Sequence, residues 1–242
     1  MRKYLNAFWF SPVIVAVVLL LSGLIAFTFF RDCLTDFTKV WGPTDWTTYL
    51  CYLGLFAVLF VCKKDFREKD EKRAWLIFCF FALAAFLREA GIQHWLTFSD
   101  STAFKLRFFT NPDNPVSEKI IASLCLLCVG GLFVYTMFLY LIPAFKGFFK
   151  KMPGSWTIIT LLSTGAVSKI IDRLPSNLKK AGIILDRDGT IFGVFQICEE
   201  TLEMMLPVLA IIALMQFHQD KQLFFPHKSD QTEPDGDNTA GK

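Results

Sequence analysis

The stretch IFGVFQICEETLEMMLPVLAIIALMQF, residues 191–217, decides how this chain folds. As a helix it is long enough for the bilayer's hydrocarbon core, which is roughly 30 Å thick and takes about 20 apolar residues. Yet it carries Glu199, Glu200 and Glu203. At about 100° per residue, with Glu199 at the origin, Glu203 falls near 40°, Gln196 near 60° and Glu200 near 100°. The polar side chains share one arc, and the opposite face is apolar. Charged groups within a span face the bundle interior or a water-filled cavity. The stretch therefore reads as a membrane helix that turns its acids toward neighbouring helices.

Composition extends that reading to the whole chain. Of 242 residues, 53% are hydrophobic and only 19% are charged. A soluble domain is nearer 45–50% apolar and about 25% charged. The apolar residues gather into long runs, which predicts an all-α polytopic bundle of six transmembrane helices. The expected spans are about 9–29, 47–62, 74–93, 120–142, 156–173 and 191–217. They form one domain over residues 1–225, followed by a polar, disordered cytoplasmic tail at 226–242. Pro143 is expected to stop the fourth helix and Pro175 the fifth. The first span is expected to be retained, since no small-x-small cleavage site follows it.

The net charge of +3 is too small to imply a nucleic-acid partner. Cys51, Cys62, Cys79, Cys125, Cys128 and Cys198 sit within the apolar runs, where cysteine usually serves as inert small packing. Cys125 and Cys128 form a CxxC without a second pair, and only Cys33 lies outside the runs, so no disulfide framework is indicated.

Orientation follows from Lys and Arg in the connections. Alternating spans place 14 of the 25 basic residues on one side, dominated by KKDFREKDEKR at 63–73. Both termini are therefore expected in the cytoplasm, in a bacterial-type inner (plasma) membrane.

The sixth helix is preceded by ILDRDGT, residues 184–190. This resembles the opening motif of haloacid dehalogenase-like phosphatases. The resemblance implies Asp186 as nucleophile and Asp188 as acid/base on a parallel sheet. Here the chain enters a hydrophobic span directly after the motif, which leaves that sheet no place. Asp188-Gly189 reads instead as a turn, and Thr190 as an N-cap.

Two more spans carry ionisable groups. The fifth lines up Thr157, Thr160, Thr164, Ser168 and Asp172 on one stripe, with Lys169 and Arg173 beside it. The third ends in LREAGIQHW, where Glu89 and Gln93 share a face flanked by Arg88 and His94. The fifth and third helices ascend, so Asp172 and Glu89 lie near their outer ends. The sixth descends, so Glu199 lies about 12 Å below its outer entry. Acids from three helices thus meet at similar depth, which predicts an outward-facing polar pocket. The segment TFSDSTAFKLRFFTNPDNPVSEK would sit over it.

Glu199, Glu203, Asp172 and Glu89 are the expected catalytic groups. Glu200, Gln196, Ser168, Arg88, His94, Lys169 and Arg173 are the expected substrate contacts. Glu199 and Glu203 are i,i+4 neighbours, so at least one is expected to hold a proton or share a cation. Pro207 leaves the Glu203 carbonyl without its usual helical partner.

Three function classes fit. A membrane enzyme acting on a lipid or lipid-linked headgroup would use the acids for general acid–base work or to hold a divalent cation. A proton- or cation-coupled carrier would load them directly. A non-catalytic membrane subunit or assembly factor would use the polar faces to hold a partner helix, with Arg88, Lys169 and Arg173 as inter-helix ties. No HExxH, GxSxG or arginine-rich phosphatase signature is present. Membrane hydrolases of the alkaline ceramidase type use several intramembrane histidines. His218 and His227 fall past the last span, so that likeness fails. Membrane lipid is the expected partner, with a homo-oligomer or a second membrane protein also compatible.

Overall fold

A computed structural model describes residues 5–29, 42–91, 106–182 and 190–219. Among these residues the ordered elements are all helical. In chain order they are α1 (Phe10–Phe29), α2 (Pro43–Cys62), a 3-10 turn (Lys63–Asp65), α3 (Lys69–Glu89), α4 (Leu106–Thr110) and α5 (Val116–Thr136). A π turn (Met137–Leu141), α6 (Ile142–Phe149), α7 (Pro153–Lys180) and α8 (Thr190–Gln219) follow.

Local chemistry sets the helix ends. Pro43 and Pro153 occupy the first turns of α2 and α7, where a missing N–H costs nothing. The start of α3 is a capping box, in which the Glu71 carboxylate accepts the N–H groups of Arg67 (2.8 Å) and Glu68 (3.2 Å). Gly91 follows α3 at φ 73° and Gly182 follows α7 at φ 84°. These left-handed residues close their helices without a Cβ penalty.

Several helix limits differ from the expected spans. The second helix begins at Pro43, not near Thr47. The third begins at Lys69, inside the basic run read as a loop, and closes at Glu89. The fourth begins at Val116 and does not stop at Pro143, which occupies the first turn of α6 after the π turn. The wider π spacing relieves the clash between the proline ring and the preceding carbonyls. The fifth helix carries Pro175 inside it and runs on to Lys180. Asp186, the turn read at Asp188-Gly189, the Thr190 side chain, Gln93, His94, the covering segment before residue 106 and the tail lie outside the described residues.

Helix α8 is the centre. Leu209, Met205 and Ile197 on it are buried. Residue pairings fix the directions of its neighbours. Ser11 and Thr157 bond each other near the level of Gln216, while Thr201 bonds Ser22 and Ile197 meets Ala26. Helix α1 therefore runs antiparallel to α8. Thr157–Gln216 and Ser168–Glu203 make α7 antiparallel to α8 as well. Gly54 faces Ile211 and Asp65 meets His218, so α2 runs parallel to α8. Tyr49 bonds the Glu89 carbonyl and Trp75 bonds the Leu59 carbonyl, so α3 returns antiparallel to α2. Arg73–Tyr135 and the Phe81–Phe133 ring contact attach α5 to α3.

The outer surface is apolar. Leu20 on α1 is 67% exposed and Leu127 on α5 is 71% exposed. Water does not sustain so large a continuous apolar face. Among the described residues three segments, Phe10–Phe29, Thr44–Asp65 and Val116–Phe149, are long and apolar enough to cross a membrane.

Candidate functional site

The carboxylate of Glu203 lies where α3, α7 and α8 converge. The helical period brings it inward with Glu199, and the stripe on α7 places Ser168 opposite. One oxygen, Oε1, takes three donors: the Lys169 ammonium at 2.6 Å, an Arg88 guanidinium N–H at 2.9 Å and the Ser168 hydroxyl at 3.3 Å. The Glu203 side chain is 9% exposed, whereas Arg88 and Lys169 are 39% and 47% exposed. The anion is thus the buried member and its cations approach from the open side. Arg88 also holds Glu89, its neighbour in sequence. Lys169 also reaches Asp172, at 4.0 Å.

Glu199 and Glu200 differ from Glu203. Both are half-buried. Glu199 stands in the electrostatic surroundings of Asp172, Glu203, Lys169 and Arg88, and Glu200 in those of Glu203, Asp45, Glu199 and Glu89. Neither forms an ion pair or hydrogen bond with any described residue. Among the described residues, Glu89, Asp172 and Glu203 share the cations Arg88 and Lys169, and Glu199 and Glu200 lie beside them with no cation of their own. That leaves an acidic surplus at a half-buried face, where an unpaired charge draws in a proton or a counter-cation.

Gln196 is half-buried, one turn before Glu199 and Glu200. Arg173 is exposed and forms no ion pair among the described residues. Two shallow cavities lie away from the cluster. One, of about 290 Å³, runs along the lipid-facing side of α1 at Trp9 and Val13. The other, of about 770 Å³, lies at Phe60, Lys63, Lys64 and Arg67.

A second polar layer escaped the sequence reading. The Gln216 amide N–H donates to the Leu5 carbonyl at 2.7 Å, and its oxygen accepts the Thr157 hydroxyl at 2.8 Å. Thr157 lies 2.5 Å from the Ser11 hydroxyl. Gln216, Thr157 and Ser11 are all fully buried. This layer ties α1, α7 and α8 at the end opposite the carboxylates. Thr157 was visible on its stripe, but its partners are a single serine and a single glutamine remote in sequence.

Comparison of the chain with protein-family models, curated proteins and solved structures gives no match, so its function is argued from its own residues.

Proposed function

We propose that this chain is a six-span integral membrane protein, of the inner-membrane type, whose acidic site faces the non-cytoplasmic side and takes up a proton or a cation. The observation that carries the proposal is the unequal sharing of charge around Glu203. Glu203 is the anchor, fixed by Arg88, Lys169 and Ser168. Glu199 and Glu200 are the working carboxylates, because among the described residues they have no cation of their own. A group already neutralised by two cations has little affinity left for a third. A half-buried carboxylate among other acids has a strong electrostatic reason to bind one.

The alternating course of the six long helices supports the span count. The basic 63–73 segment, with Lys63, Lys64, Arg67 and Lys72 around one cleft, supports its assignment to the cytoplasmic headgroup layer. Trp9 and Trp46, exposed at opposite ends of the bundle, suit the two interfaces.

The test is reconstitution of the full chain in sealed vesicles containing a pH-sensitive dye, with sodium, potassium or magnesium gradients imposed in turn. The expected result is a proton or cation flux that Glu199→Gln and Glu200→Gln each reduce at least about tenfold, without change in helical content or elution volume. Equal flux in the variants would overturn the assignment. Release of a water-soluble headgroup from the vesicle lipid would identify a membrane enzyme instead.

A further inference from the structure

Some 15 residues beyond Glu203 on α8, about 22 Å along the helix, a different set of side chains converges. Cys62 ends α2 and Asp65 ends the 3-10 turn that follows it. His218 lies in the last turn of α8. The Cys62 thiol, a carboxylate oxygen of Asp65 and a ring nitrogen of His218 all lie within 4.8 Å of one another. His218 Nδ1 is 2.6 Å from Asp65 Oδ2. The grouping is held from both sides, because the Phe66 and Phe217 rings stack with centroids 4.5 Å apart and an interplanar angle of 16°. Those rings adjoin Asp65 and His218 in sequence, so the stacking fixes where both ligands stand.

We propose that Cys62, Asp65 and His218 bind one divalent ion of the zinc class. A thiolate, an imidazole nitrogen and a carboxylate oxygen form a mixed soft and borderline donor set that suits zinc. Magnesium and calcium take oxygen ligands instead. Tetrahedral zinc holds its ligand atoms about 3.3–3.7 Å apart. His218 and Asp65, 2.6 Å apart, reach that spacing by separating roughly an ångström, and the Cys62 thiol stands within 4.8 Å of both. Binding exchanges the thiol proton for the metal, so one proton leaves to solvent for each ion bound through Cys62. Three protein ligands leave a fourth position for water.

The Lys63 ammonium lies over the Trp75 ring, 5.5 Å from its centroid, and is thereby directed toward that ring. Cys62 is buried and forms no disulfide, and Asp65 is half-buried, while His218 is exposed and gives the ion a route in. The ion would join the ends of α2 and α8, which belong to the parallel pair at the centre of the bundle.

The full-length chain in detergent micelles, kept reduced with a phosphine, is titrated with Co²⁺ and then with Zn²⁺. The expected result is one Co²⁺ per chain with a near-ultraviolet thiolate-to-cobalt band, bleached by Zn²⁺. Cys62→Ser removes the band. His218→Ala, a change at an exposed position checked for unchanged helical content, weakens Zn²⁺ binding by at least about tenfold. Glu199→Gln retains the band, which separates this site from the acidic one. Absence of the band, its survival in Cys62→Ser, or unchanged Zn²⁺ affinity in His218→Ala would overturn the proposal.

Discussion

The Lys169 ammonium lies 2.6 Å from Glu203 Oε1, across the interface between α7 and α8. Arg88 approaches the same oxygen from α3, at 2.9 Å. Removing the anion leaves two cations facing each other. Glu203→Gln should therefore destabilise the bundle by about 1.5–3 kcal/mol, the usual range for a lost charged hydrogen bond. Thermal unfolding in detergent would read this as a drop of several degrees. Glu199→Gln removes no such partner and should leave the midpoint within about 1 °C. Equal shifts in the two variants would contradict the division into anchor and working acid.

The polar arc on α8 was legible because period 3.6 is a local property, which needs only Gln196, Glu199, Glu200 and Glu203 in order. The same holds for the α7 stripe and for the all-helical class. Which acid receives the cations was not legible. Lys169 and Arg88 reach Glu203 through the rotation of three helices about their own axes, which no single run of sequence encodes. The stop assigned to Pro143 failed for a related reason. A proline ends a helix only if its freed carbonyls and ring find no relief, and the π turn at Met137–Leu141 supplies it. The grouping of Cys62, Asp65 and His218 has no spacing signature, since Asp65 and His218 lie 153 residues apart.

The buried Gln216 layer makes a second prediction. Gln216 serves Leu5 and Thr157 at once, and neither has water as a substitute inside the bundle. A double-mutant cycle on Thr157→Val and Gln216→Leu should give a coupling of about 0.6 kcal/mol, the average for hydrogen bonds between membrane helices, and at most about 1.7 kcal/mol. Additive effects within error would show that the Thr157–Gln216 contact contributes nothing of its own.

The turn between α6 and α7 makes a third. Lys151 sits there at φ 56°, and the chain reverses tightly enough for Phe148 and Trp156 to stack at 4.2 Å. A Cβ on Gly147 would fall on the Ser155 side chain, and would lie 2.9 Å from its Cβ. Gly147→Ala should cost about 1–3 kcal/mol by overpacking. Ser155→Gly should recover most of that loss in the double variant, and Ser155→Ala less, since its Cβ stays 2.9 Å away. Full tolerance of Gly147→Ala would mean that the reversal is looser than the stacked rings require.

The last prediction concerns the membrane itself. Helix α7 begins after the Lys150–Met152 turn and ends at Lys180, with Gly182 just beyond it. A crossing helix must place those two ends on opposite faces, and its 28 residues span about 42 Å, enough for the hydrocarbon core with both ends in headgroups. In a chain stripped of native cysteines, single cysteines at Lys151 and Gly182 should react oppositely with a membrane-impermeant maleimide in intact cells. On the proposed orientation, which puts the basic side of the chain in the cytoplasm, the Gly182 position should label at once and Lys151 only after permeabilisation. The reverse pattern would keep the spans and invert the orientation, moving the acidic site to the cytoplasmic half. Labelling of both positions in intact cells would instead remove α7 from the list of crossing helices. The site at Glu203 would then lie against an interfacial helix, and its cations would compete with bulk water.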